Sequence, residues 1–258
     1  MYPAGFVYIY SFLYKITSHG TNIYVAQYIF LGLYLAQALL MYRILRKTSK
    51  IPPYGLILAT VTSYRIHSIF VLRLFNDPIA VLLFYVSLNL FISDWWILGS
   101  VFYSLAVSVK MNILLYAPCL LIAYLTNLTL VQTAINLVVC GVLQILLGAP
   151  FLLTNPYSYI RGSFDLGRIF EHKWTVNYRF LPRELFENRL LHLSLLTLHI
   201  LTLLAFAPHL RRYLSSYAKL KVVTKQVKAQ MKEERRKREE KKKKENEKLS
   251  KKEKIFLD

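Results

Sequence analysis

Acidic residues are scarce in this chain: 14 Asp+Glu stand against 33 Lys+Arg. Cysteine is scarcer still, with only Cys119 and Cys140, each inside an apolar run. Two such residues make neither a disulfide framework nor a zinc motif, and they read as small buried hydrophobes. No glycine-rich dinucleotide fingerprint, phosphate-binding loop, HExxH pair or fixed-period repeat occurs. Met1 is followed at once by Tyr-Pro-Ala-Gly, with no basic leader region, so insertion into a membrane is expected to rely on the first span. The basic C-terminal stretch has no aromatic interleaving on which bases could stack, so nucleic acid is not expected as a partner.

What is present is apolar. Of 258 residues 55% are hydrophobic and 14% aromatic, and the mean hydropathy is +0.36. The pattern predicts an all-α polytopic membrane protein with about seven transmembrane helices. The net charge of +19 is uneven: residues 211–258 carry +11, and the 210 residues before them +8. The expected organisation is an interfacial segment 1–23, rich in tyrosine, a multi-span body 24–210 containing a polar loop 154–189, and a charged basic tail 211–258.

The expected spans are 24–42, 54–75, 78–92, 95–109, 111–125, 128–153 and 190–210, with Pro118 expected to kink the fifth. The basic residues Arg43, Arg46, Lys47 and Lys50 follow the first span. The positive-inside rule puts that loop and the tail on the cytoplasmic side, and the six spans between them agree with this. The same count places Asn76-Asp77, Lys110–Asn112 and the 154–189 loop together on the far side. Asn127-Leu128-Thr129 fits a glycosylation sequon but falls on the cytoplasmic side, so it is expected to stay unmodified. The tail has many Glu–Lys pairs four apart, such as Glu234–Arg238 and Glu240–Lys244, which favour a solvated helix.

The stretch 63–78, SYRIHSIFVLRLFNDP, carries most of the chemical interest. Its polar groups cost about 2.5–3.5 kcal/mol each at a bilayer centre, so they should face protein or a wet cavity. Wound as one helix, Arg65, Arg73 and Asn76 fall within about 80° of one another, with Asp77 a little further round. That stripe suits an anionic group such as a phosphate. Asp77 before Pro78 also suits a helix start, and Arg73 could pair with Asp77 at i, i+4. In the polar loop, Arg161 and Arg168 add positive charge, and His172 and Trp174 offer a possible acid and a sugar-stacking ring. Arg183 and Glu187 read as an ordinary helical ion pair. His192 and His199 share a helix face without a third ligand, so no metal is expected.

YPAGFVYIY, HGTNI, SYRIHSIFVLRLFNDP, SLAVSVKMN, LLGAPFLLTNP, SFDLGRIFEHKWTVNYRFLP and FENR occur in that order over residues 2–210. In these motifs the chain resembles the Not56-like asparagine-linked glycosylation family of the GT-C superfamily. The resemblance implies an endoplasmic-reticulum membrane enzyme with a lumenal active face. The implied reaction moves mannose from dolichyl-phosphate mannose, in α-1,3 linkage, onto a five-mannose dolichol-diphosphate-linked oligosaccharide, without a metal or other cofactor. It implies donor-phosphate or sugar contacts at Arg65, Arg73, Asn76, Lys110, Asn112, Arg161, Arg168, His172 and Trp174. The family's acidic base is expected upstream of YPAG, which leaves Asp77 and Asp165 as weaker candidates. The resemblance covers a GT-C-like core lacking its N-terminal part. The alternative expectation is a catalytically dead, truncated form that binds lipid phosphate without turnover.

Overall fold

The computed structural model describes residues 3–49, 51–61, 64–163, 171–175 and 178–255, apart from the side chains of residues 53, 59–61, 64–65, 174, 241 and 243–255. Every regular element among them is helical. Backbone contacts divide the chain into two compact units, Met1–Arg168 and Ile169–Asp258.

The first unit opens with α1 (Ala4–Ile16) and α2 (Ile23–Thr48). The turn between them uses left-handed backbone at Ser18, His19 and Gly20, and the Asn22 side chain caps α2 by accepting from Val25 N. Next come α3 (Pro53–Val61), α4 (Tyr64–His67) and a π turn over Ser68–Leu72. After these follow α5 (Asp77–Ile92), α6 (Trp96–Val109), a 3-10 turn (Met111–Tyr116) and α7 (Ala117–Asn127). The unit closes with α8 (Leu130–Thr154) and α9 (Pro156–Ser163).

Two hydrophobic segments depart from the expected continuous spans. The 54–75 stretch is not a single helix: it breaks into α3, α4 and the π turn, and Leu74 takes a left-handed φ of 53°. A helical wheel at constant pitch therefore does not carry through to Asn76. Pro118 begins α7 rather than kinking a longer helix. In the first turn its missing N–H costs nothing, because that N–H has no intrahelical acceptor.

Contacts order the bundle as α2, α5, α6 and α8. The turn at Ser93–Trp95, with Asp94 at φ 63°, makes α5 and α6 an antiparallel hairpin. Asn89 Nδ2 donates to Leu40 O at 3.2 Å and Arg43 Nη2 to Ser93 Oγ at 3.3 Å, so α2 runs parallel to α5. The core is shared by Phe30, Ile79, Ala80, Tyr103, Ala106, Val109 and Ile113.

α6 and α8 are joined by a polar ladder. Ser100, Ser104 and Ser108 recur every four residues on α6, and the first two face Asn136, Cys140 and Gln144 on α8. Ser100 Oγ lies 2.5 Å from Tyr124 OH and 2.7 Å from Asn136 Oδ1, and Asn136 Nδ2 donates to Gln132 O at 2.8 Å. Gln144 Nε2 donates to both oxygens of Ser104. Small hydroxyl residues let two helices approach closely, and hydrogen bonds replace the hydrophobic drive that lipid cannot supply. The pairing makes α6 and α8 parallel. Thr129 starts α8 with a capping box to Gln132.

The second unit holds a 3-10 turn (His172–Trp174), α10 (Arg183–Phe186) and α11 (Arg189–Ile255). Among the described residues, three helices are long and apolar enough to cross a membrane: α2, α8 and the part of α11 within Arg189–Glu240. Asp77–Ile92, Trp96–Val109 and Met111–Asn127 are shorter apolar segments. Leu130, Val138 and Ile145 on α8, and Leu193, Leu196 and Leu204 on α11, lie exposed, an arrangement that lipid tolerates and water does not. The chain is a polytopic all-α membrane protein.

Candidate functional site

One cluster of polar groups in the first unit lies where α5 starts and α6 ends. Pro78 occupies the first turn of α5, and Asn76 O accepts the first helical bond from Ala80 N at 3.1 Å. α6 stops at Lys110, whose backbone turns extended (φ −149°, ψ 120°). Lys110 Nζ then reaches Asp77 Oδ1 at 2.5 Å, with only 25% and 28% of the two side chains exposed. Asp77 is therefore not a side-chain helix cap, and its carboxylate does not pair with Arg73. Its partner lies 33 residues further on.

Arg73 is exposed and makes no ion pair among the described residues. Asn76 is 3% exposed, and its Nδ2 has no hydrogen-bond partner among the described residues. A buried donor left unpaired costs about 1–3 kcal/mol, so Asn76 marks a polar point held under this end of the bundle. Asn112 is exposed on the following 3-10 turn, and Tyr103 OH pins that turn by donating to Ile113 O at 3.1 Å.

α1 lies across the same end. Ala4 and Gly5 are buried, and a Cβ on Gly5 would overlap Ser108. Tyr8 OH donates to Leu147 O on α8 at 2.9 Å, and Tyr10 OH to Leu74 O at 2.8 Å. The YPAG motif thus seats a helix whose tyrosines tie α8 to the loop before Asp77.

Because α8 runs parallel to α6, its C-terminal end and α9 share this end too. α9 is fixed by stacking of Tyr159 on Phe151, with ring centroids 5.5 Å apart, and Tyr159 packs against Gly148. Arg161 is exposed on α9, donates to Tyr157 OH at 3.3 Å and stands 6.0 Å from that ring. Arg73, Lys110 and Arg161 are thus collected at one end, with Asp77 the one carboxylate there among the described residues. Asp94 is the other acid before residue 165, and it lies at the opposite end, in the α5–α6 turn.

Other sequence candidates fall elsewhere. Arg65 is part of α4, but its side chain lies outside the described residues, as do Asp165 and Arg168 altogether. His172 and Trp174 form part of the 3-10 turn of the second unit. His172 Nε2 is 2.9 Å from Leu181 O, and its ring meets Phe186 edge-on at 5.4 Å. His192 Nε2 is likewise 2.8 Å from Phe186 O. Both histidines thus have backbone partners. Arg183 Nε donates to Glu187 Oε1 at 2.9 Å, the expected i, i+4 pair. Among the described residues no three His, Cys, Asp or Glu side chains converge as metal ligands.

The family model described as "ALG3 protein" matches residues 1–256. The chain belongs to the ALG3 family. A Drosophila melanogaster relative, named Dolichyl-P-Man:Man5GlcNAc2-PP-dolichol alpha-1,3-mannosyltransferase Alg3, is 63% identical over 231 residues, 90% of this chain and 45% of that protein. A Homo sapiens member named Dol-P-Man:Man(5)GlcNAc(2)-PP-Dol alpha-1,3-mannosyltransferase is 54% identical over 207 residues, 80% of this chain and 47% of its own length. A Dictyostelium discoideum member carrying that name prefixed "Probable" is 40% identical over 235 residues, 80% of this chain and 53% of its own. The chain thus spans about half the length of these curated ALG3 relatives. No solved structure matches it.

Neither the α6–α8 serine ladder nor the tyrosine ties of α1 follow from the hydropathy pattern that locates the spans. The signal for the ladder is present: serine at 100, 104 and 108 is a four-residue period inside an apolar run. The tyrosines of α1 read as interfacial anchors, and nothing local names a carbonyl more than 60 residues away as their acceptor.

Proposed function

We propose that this chain carries the dolichyl-phosphate-mannose side of an endoplasmic-reticulum α-1,3-mannosyltransferase acting on the five-mannose dolichol-diphosphate-linked oligosaccharide. The end of the bundle bearing Asp77 and Lys110 faces the lumen in this reading. The names borne by the relatives support the reaction class. The observation that carries the site is the Lys110–Asp77 pair at 2.5 Å, collected with Arg73, Asn76 and Arg161 at one end of a lipid-suited bundle.

The chemistry asks for what that end supplies. The anomeric carbon loses its bond to the phosphate oxygen of the donor and gains one to the acceptor mannose 3-hydroxyl. The bonding electrons leave with dolichyl phosphate, and the hydroxyl proton goes to a base. A β-linked donor yields an α product by inversion. Charge grows on the departing phosphate, and fixed cations lower that barrier most in a site shielded from water. Lys110 and Arg73 are assigned to that phosphate, and Asn76 Nδ2 is a donor free to join them. Asp77 is committed to Lys110, so its role is to orient the ammonium rather than to take the proton. Arg161, beside Tyr157, suits the second charged lipid head or a sugar ring.

The test is transfer of label. Protein in lipid is incubated with labelled dolichyl-phosphate mannose and the five-mannose acceptor, and the acceptor is analysed for one added, α-1,3-linked mannose. Lys110→Ala and Arg73→Ala should each lower transfer at least tenfold, about 1.4 kcal/mol of transition-state stabilisation. Donor binding without transfer would leave a lipid-phosphate-binding protein. No binding of either substrate would refute the assignment.

A further inference from the structure

α11 does not end with its apolar span. It continues as helix from residue 211 into the basic segment, and that segment is patterned. Tyr213, Tyr217, Leu220, Thr224, Val227 and Met231 recur at alternating spacings of four and three, which places them in a stripe about 80° wide. Most of the stripe is exposed: Tyr213 65%, Leu220 61% and Met231 53%, with Tyr217 half-buried. Tyr213 and Tyr217 stack within it at 6.3 Å.

The charge around the stripe is of one sign. Seven Lys+Arg and no acid lie between Arg211 and Lys232. Lys221, Lys225, Lys228 and Lys232 run along one flank of the stripe, and Arg212 and Lys219 flank the other. Acids begin only at Glu233, where the stripe ends, and there the helix pairs its own charges: Glu233 with Lys237 at 2.8 Å, Arg236 with Glu240 at 3.2 Å. Glu234 and Arg238, a pair the spacing also allows, do not meet. The segment thus changes character at residue 233, from a one-sided basic amphipathic helix to a self-paired solvated one.

We propose that residues 211–232 dock on an anionic lipid surface beside the span, with the tyrosine–leucine–valine–methionine stripe in the headgroup boundary and the flanking lysines on lipid phosphates. Three observations favour lipid over a second copy of the chain. The lysines flank the stripe where a coiled coil needs complementary charge, so two copies would set Lys221 and Lys228 among like charges. The stripe runs for under three heptads and stops at Glu234, too short for a stable pair of helices. The segment also follows a span directly, which holds it within reach of headgroups. Pro208, inside α11 just before the segment, cannot donate to the residue 204 carbonyl and clashes with it, so it is the joint about which the helix turns from crossing to lying flat.

The full chain in nanodiscs tests this. Val227→Trp places a reporter in the stripe, and its emission, taken as the difference from the parent, is followed with bromine-labelled phosphatidylcholine as quencher. In discs with about 30 mol% phosphatidylserine the added emission should fall at least twofold, and in neutral discs by less than a tenth. Raising NaCl to about 0.5 M should reverse most of the quenching. The combined variant Lys221→Glu, Lys225→Glu, Lys228→Glu and Lys232→Glu, read through the same tryptophan, should lose it altogether. Equal quenching in both discs, or none in either, overturns the proposal. So does an unquenched tryptophan in discs where the tail cross-links between two chains, which would give the stripe to a second copy. None of these readouts depends on mannose transfer, so the result stands apart from the enzymatic reading.

Discussion

Tyr10 OH donates to Leu74 O at 2.8 Å across 64 residues of sequence. Leu74 has a φ of 53°, a left-handed conformation that a branched side chain adopts at a cost of about 1 kcal/mol or more. The hydroxyl of α1 therefore holds a strained residue two positions before Asn76. Tyr10→Phe keeps the ring, which stacks on Phe6 at 4.3 Å, and removes the hydroxyl's bond to Leu74 O. We expect a loss of about 1 kcal/mol, seen as a lower thermal midpoint in detergent. Tyr8→Phe, which frees the Leu147 carbonyl instead, should cost a similar amount. Only the Tyr10 change should also depress mannose transfer. Equal effects of both on transfer would make Leu74 an ordinary loop residue.

Gly5 offers a sharper test of how α1 is seated. A Cβ there would fall within 3 Å of the Ser108 Cβ and carbonyl, and the helix end around it is well packed. Gly5→Ala should destabilise by about 1–3 kcal/mol through overpacking, although alanine is the better helix former. Ser108→Gly added to Gly5→Ala should recover part of the loss. An unchanged midpoint for Gly5→Ala would mean that α1 is loosely held.

How much of this could be seen beforehand depended on whether the cause was local. α2, α8 and the start of α11 follow from runs of apolar residues long enough to cross a bilayer, and the capping box at Thr129 confirms where one of them begins. The stretch before Asp77 fails because a wheel assumes one pitch, and the π turn over Ser68–Leu72 changes it. Asp77 beside Pro78 carries every local sign of a helix cap, yet its carboxylate is taken by Lys110. A partner 33 residues away becomes visible only once α5 and α6 are known to be antiparallel. That Asp77 and Lys110 would share one end of the bundle was legible from the order of the apolar runs. That they touch was not.

The Lys110–Asp77 pair should show strong coupling. Each side chain is about three-quarters buried, so removing one partner leaves the other desolvated and unpaired. Lys110→Ala and Asp77→Ala are each expected to cost about 1–3 kcal/mol, below the range for fully buried pairs because solvent still reaches both. The double variant should cost less than the sum of the two, with a coupling of at least about 1 kcal/mol. Additive losses would show that the pair contributes nothing beyond its separate contacts. The variants should differ in transfer: Lys110→Arg should retain part of it, because the cation survives, while Lys110→Met should not.

Two acceptor sites measure the arrangement across the membrane. Asn127, at the end of α7, precedes Leu128 and Thr129 in a sequon. Its Nδ2 already donates to Ala123 O at 2.9 Å. α7 ends next to the start of α8, and the parallel α6–α8 pairing puts that point at the opposite end from Lys110. If the Lys110 end faces the lumen, Asn127 faces away from the glycosylation machinery and stays bare. In cells, Asn127→Gln should leave the mass of the protein unchanged. Lys173→Asn sets an asparagine before Trp174 and Thr175, in the loop expected on the lumenal side, and removes the exposed ion pair with Glu171. That variant should gain a mass removable by an endoglycosidase. A glycan on Asn127, with none gained by Lys173→Asn, would invert the orientation and place Arg73, Lys110 and Arg161 on the side where no lumenal donor could meet them.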